Sequence, residues 1–136
     1  MKITKIWFEK DRIYALTADG RTLWQSLLYY PKLRNATNEE RNTYDMNAFG
    51  IRWENLDEDV SFESFEYDDP EPTGISRILL SHPELNLSAG AQRLGIQQSL
   101  LMAYANGSKK PSLEFANKVI EAMRAIGREL VAIPSI

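Results

Sequence analysis

From the first residue, apolar and polar positions alternate rather than recur at helical spacing. Residues 3–8 are β-branched and aromatic-rich, Lys10-Asp11 interrupts them, and residues 12–17 place Ile13, Ala15 and Thr17 on one face and Tyr14 and Leu16 on the other. Asp19-Gly20 follows. Both positions tolerate φ > 0, which predicts a two-residue hairpin turn with residues 21–27 as the return strand. Thr37-Asn38-Glu39-Glu40 has the spacing of a capping box, in which a hydroxyl and a carboxylate each satisfy an orphan amide, and predicts a helix to about Met46. Residues 49–53 predict a further short strand. Residues 60–65 fit a strand or a single helical turn equally well.

From Gly74 the period changes. Ile75, Ile78 and Leu79 fall at helical spacing, and Pro83 stops that helix. Asn86 is placed to cap a helix from Leu87 to Leu94, Gly95 supplies a left-handed turn, and residues 98–105 form a third helix closed by Asn106-Gly107. Ser112 caps a long last helix, with Ala116, Val119, Ile120, Met123, Ile126 and Leu130 along one face.

The two patterns meet at Glu66-Tyr67-Asp68-Asp69-Pro70-Glu71-Pro72-Thr73-Gly74, which is acidic and carries two prolines that can continue neither a helix nor a central strand. The sequence therefore predicts an α+β chain of two domains: a small β-rich domain at 1–67 (an antiparallel meander plus one helix), a linker at 68–73, and an all-α domain at 74–136. Charge divides in the same place. Residues 1–73 hold nine Lys/Arg against fifteen Asp/Glu, net −6, and residues 74–136 hold seven against four, net +3. An acidic half joined to a basic half suggests different partners for the two.

Two short helices joined through a glycine turn are the pattern of a helix-turn-helix. Ala91-Gln92-Arg93-Leu94-Gly95-Ile96-Gln97-Gln98-Ser99-Leu100-Leu101, then Tyr104-Ala105-Asn106-Gly107 and Lys109-Lys110-Pro111-Ser112, resemble the phage repressor and Cro type, the lambda repressor-like DNA-binding domain, over residues 74–128. Residues 1–67 resemble a family of small bacterial domains of unknown function that pair an Asp-Gly turn with a Trp-x-x-Leu-Asp stretch, here Asp19-Gly20 and Trp53-Glu54-Asn55-Leu56-Asp57. That second resemblance implies no chemistry.

In a helix-turn-helix, Leu94, Ile96, Leu101 and Tyr104 would point inward. Gln97, Gln98, Ser99, Leu100, Met102 and Ala103 would then lie on the side that enters the major groove. Gln98 could pair with adenine N6/N7, Ser99 with several base edges, and Ala103 could pack on a thymine methyl. The resemblance also implies that Asn106, Lys109 and Lys110 touch phosphates, which position the protein without reading sequence. Three departures stand out: Leu87 where the family often has a phosphate-binding glutamine, Gly90 where an apolar residue is usual, and no Arg or Lys on the third helix.

Composition excludes more chemistry than it suggests. There is no cysteine and one histidine, so disulfides, thiol catalysis and multi-histidine metal sites are not expected. No apolar run is long enough to span a membrane, and a cytoplasmic location is expected. Asp57, Glu58 and Asp59 lack the glycine of an EF-hand loop and read as a solvated acidic turn. Gly107-Ser108-Lys109-Lys110 lacks the order of a phosphate-cradling loop. His82 reads as a helix-end cap, and the aromatics of residues 1–67 as core or interface packing, because an acidic surround does not suit a stacking platform. No nucleophile–base set is visible, so neither an enzyme nor a cofactor is expected. The expected function is sequence-specific binding of double-stranded DNA by a bacterial-type transcriptional regulator, as a homodimer formed mainly through the N-terminal domain. The rival is an interaction or antitoxin-like module that grips a protein partner through that domain.

Overall fold

The computed structural model describes residues 1–136, which divide into two compact units, Met1–Pro72 and Thr73–Ile136. The protein is α+β, with two three-stranded antiparallel sheets in the first unit and six helices along the chain.

In the first unit, β1 (Ile3–Glu9), β2 (Arg12–Thr17) and β3 (Thr22–Ser26) form a meander, with Trp7 opposite Tyr14 and Tyr14 opposite Trp24. The β2 alternation is as expected: Ile13, Ala15 and Thr17 are buried, Tyr14 and Leu16 half-buried. The Asp19-Gly20 turn differs from the two-residue expectation. The Thr17 amide donates to the Arg21 carbonyl at 2.9 Å and the Gly20 amide to the Thr17 carbonyl at 3.0 Å, giving a three-residue loop in which only Gly20 is left-handed, at φ 91°. Asp19 instead keeps an ordinary backbone and uses its carboxylate to accept from the Thr17 hydroxyl and the Arg21 guanidinium, which hold its pKa below the usual carboxylate value.

After a 3₁₀ turn come α1 (Pro31–Arg34) and α2 (Asn38–Arg41). The capping box is present, but α2 ends five residues before Met46. The reason is tertiary: the indole Nε1 of Trp53 donates to the Arg41 carbonyl at 2.8 Å, taking the oxygen that Asp45 would need to continue the helix. Tyr44 packs its ring on Trp53, and Asp45 and Met46 become β4, paired with Arg52 and Ile51. Then β5 (Gly50–Trp53) and β6 (Glu58–Ser61) complete a second sheet rather than the single meander expected. Residues 60–65 hold both alternatives, the end of β6 and a 3₁₀ turn at Glu63–Glu66. The two sheets share one core of Ile6, Ile13, Ile51, Trp53, Val60 and Phe65. Within the stretch expected as a linker, the Pro70 carbonyl accepts from the Ser26 amide at 2.7 Å and the Asp69 carbonyl from the Tyr29 hydroxyl at 2.9 Å.

The second unit is all helical: α3 (Gly74–Leu80), α4 (Leu87–Leu94), α5 (Gln98–Asn106) and α6 (Leu113–Val131). His82 Nδ1 lies 2.8 Å from the Ile78 carbonyl at the end of α3, the capping role expected. Ile75, Leu79, Ala91, Leu101, Ala105 and Val119 form the core, with Ile96, Tyr104 and Phe115 packed against it. No helix is long and apolar enough to cross a membrane.

Candidate nucleic-acid interface

The α4–α5 corner is fixed by backbone chemistry. The Asn86 side chain accepts from the Ala89 amide at 3.1 Å and starts α4. Gly95 ends it at φ 72°, its amide bonding the Gln92 carbonyl at 3.1 Å while the Ile96 amide bonds the Ala91 carbonyl at 3.0 Å. That pair of bonds satisfies two orphan carbonyls and turns the chain sharply. Gln97 is extended, and its carbonyl receives the Leu100 and Leu101 amides, so α5 begins immediately.

The core then sorts the faces of α5. Leu101 and Ala105 are buried, and the Tyr104 ring packs on Phe115 of α6 at 5.7 Å between centroids. Gln97, Gln98 and Ser99 stand exposed at its N-terminal end, and their side chains make no hydrogen bond within the chain. Met102 is 45% exposed, Ala103 and Leu100 half-buried. Asn106 is exposed, and its Oδ1 accepts from the Ser108 amide at 2.9 Å, which ties the side chain to the following loop and leaves its amide nitrogen free. Lys109 and Lys110 lie exposed in the following loop and form no ion pair. The other cations are partly spoken for: Arg93 binds Glu129 at 3.0 Å and Arg128 binds Glu121 at 2.7 Å, each guanidinium lowering its partner's pKa.

Arg52 gathers Glu54, Asp57 and Asp59 at 3.0, 2.9 and 2.8 Å, so one guanidinium ties together a turn that stays acidic. Trp53, Phe8 and Tyr30 belong to the core. Trp7, Tyr14 and Trp24 form a half-buried row on the other face of the first sheet, with Trp7 and Tyr14 stacked at 5.5 Å and the Arg12 guanidinium 3.8 Å above Trp24.

Residues 3–71 match the family model described as "Protein of unknown function (DUF2442)". The chain belongs to that family. The match covers the sheet-bearing unit of this DUF2442 protein and none of α3–α6. No curated protein and no solved structure matches the chain.

Two structural residues escaped the sequence reading. Ser76 lies within an apolar helix face and is buried, its hydroxyl bonded to the Ala105 carbonyl at 2.7 Å. Arg41 donates to the Leu33 and Arg34 carbonyls, both at 2.8 Å, closing the end of α1. In neither case does local pattern carry a signal, because both partners are set by tertiary packing.

Proposed function

We propose that the second unit is a lambda repressor-like helix-turn-helix that binds duplex DNA sequence-specifically, and that the chain is a bacterial-type transcriptional regulator. The supporting observation is the free polar end of α5. Gln97, Gln98 and Ser99 are exposed and unpartnered while Leu101 and Ala105 anchor the opposite face. The N-terminal residues of a recognition helix are the ones that meet base edges. Two adjacent amides and a hydroxyl supply donors and acceptors suited to adenine and to mixed edges. Lys109 and Lys110 add unpaired charge for phosphates, on a unit carrying net +3. Asn106 contributes the donors of its free amide nitrogen.

One recognition helix reads few bases, so the reading includes a homodimer on paired half-sites. The first unit carries most of that contact. The exposed end of α6 and the residues just after it, where Leu130, Val131 and Ile133 are 62%, 88% and 66% exposed, assist it. Selection from genomic fragments by the purified full-length protein, over a range of salt, tests the function. An enriched sequence whose affinity falls steeply with salt is expected. Failure to enrich any sequence at low salt overturns the regulator and leaves a protein-interaction module, for which the apolar Met102 on the same face is the pointer.

A further inference from the structure

Gly90 sits inside α4 with ordinary helical backbone, so no left-handed turn requires glycine there. A Cβ built at that position meets only Leu101 Cδ2, at 3.5 Å, an ordinary contact, so crowding does not require it either. What glycine does at this point is leave space. A pocket of about 180 Å³, half open to solvent, lies beside it, walled by Leu79, Leu94, Leu101, Val119, Met123 and Ile126 from all four helices of the unit.

The polar side chains lie on its rim. Asn86 accepts from the Ala89 amide at 3.1 Å, and Arg93 pairs with Glu129 at 3.0 Å. Water entering from the open side finds among the apolar walls none of the two to four polar partners that hold an ordered water. An engineered cavity of about 150 Å³ with leucine, isoleucine and phenylalanine walls stays dry and takes up benzene. A site of this size and lining favours a compact ring without charge, because a carboxylate or ammonium held among the apolar walls would be desolvated.

We propose that the cavity beside Gly90 is a binding site for a neutral apolar ring compound, between benzene and indole in size. The assignment does not use the DNA-binding reading, since none of Gln97, Gln98, Ser99, Asn106, Lys109 or Lys110 lines the pocket.

Titration of the full-length protein with benzene, indole and benzoate, followed by methyl NMR, tests the assignment. Benzene or indole should give saturable shifts at Leu79, Leu94, Leu101 and Val119 while sparing Leu27, Leu33 and Val60 of the first unit. Benzoate should bind at least tenfold more weakly. Gly90→Leu fills the space from α4 and should weaken binding tenfold or more. Ala122→Leu narrows it from α6 and serves if the first variant does not fold. The proposal is overturned by no saturable shift up to the solubility limit, by shifts undiminished in a folded variant, or by benzoate binding as tightly as benzene.

Discussion

The buried hydroxyl of Ser76 donates to the carbonyl oxygen of Ala105, 2.7 Å away and 29 residues along the chain. Ala105 lies in the last turn of α5, where carbonyls have no helical amide to receive, and the Lys109 amide that could have reached it bonds Ala103 instead. The bond therefore closes α5 and ties it to α3. Ser76→Ala should leave a buried acceptor unpaired and cost the second unit about 1–3 kcal/mol. Hydrogen exchange of α5 amides is the suitable measurement, because all three tryptophans lie in the first unit and their fluorescence does not report on the second. Unchanged protection would show that water replaces the serine.

Gly50 and Gly90 should respond oppositely to the same substitution. A Cβ at Gly50 would stand 2.6 Å from the Val60 carbonyl oxygen on the neighbouring strand, and backbone cannot swing aside as a side-chain tip can. Gly50→Ala should destabilise the first unit by about 1–3 kcal/mol, the usual cost of overpacking. Gly90→Ala meets no such obstacle and should gain up to about 1 kcal/mol from helix propensity. Urea unfolding followed by tryptophan fluorescence reads the first change, and exchange of α4 amides reads the second. Destabilisation by both would mean that the space beside Gly90 is smaller than its walls imply.

Arg52 links stability of the first unit to pH. Its hydrogen bond to Asp57, and then its charge, hold the Asp57 carboxyl below the ordinary value of 3.8. A depressed folded-state pKa stabilises the fold above the unfolded value, and that contribution fades as pH falls through the folded value. Asp57 is exposed, so the effect on stability is small and the titration itself is the better readout. In Arg52→Met, the carboxyl resonance of Asp57 should titrate at a higher pH than in the parent protein. An unchanged midpoint would assign the depression to something other than the guanidinium.

How much of this was legible in the sequence depends on where each boundary's cause lies. Asn86, Gly95 and Ser112 end or begin their helices through bonds to residues within a few positions, Gly107 ends α5 through its left-handed backbone at φ 80°, and those ends stood where the punctuation placed them. Thr37 and Glu40 were equally legible as the start of α2. Its end was not, because the Trp53 indole that stops it lies 12 residues away. The second sheet went unseen for a related reason: β4 is only two residues long, too short for alternation to show, and exists because Tyr44 is drawn onto Trp53. At the candidate interface, the exposed row of Gln97, Gln98 and Ser99 followed from helical period, whereas the bond that binds Asn106 to Ser108 had no counterpart in the pattern.

The proposed dimer has a direct check. Light scattering of the full-length protein at tens of micromolar should give twice the chain mass. Replacing Leu130 and Ile133 by serine removes exposed apolar area from the end of α6 without touching its buried Val119. That double variant should dimerise more weakly but still dimerise, since the first unit carries most of the contact. A monomeric parent protein would remove the paired half-site from the functional reading, and a fully monomeric variant would move the interface to α6.

The sharpest distinction concerns the two kinds of DNA contact. Lys109 and Lys110 are exposed, unpaired and in a loop, so they can neutralise phosphates but have no geometry with which to choose a base. Lys109→Ala with Lys110→Ala should weaken all duplexes alike and reduce the slope of log affinity against log salt by about 0.9 for each phosphate no longer neutralised. Gln98 opens α5, where a bidentate contact to adenine is worth about 1–3 kcal/mol of discrimination. Gln98→Ala should leave the salt slope unchanged and lower the preference for the selected sequence over its single-base variants. Asn106→Ala is the control, because its Oδ1 holds the Ser108 amide and its loss should loosen the lysine loop, resembling the lysine variant and not the glutamine one. If Gln98→Ala instead lowers affinity for every duplex by the same factor, α5 is not reading bases and the major-groove docking is wrong.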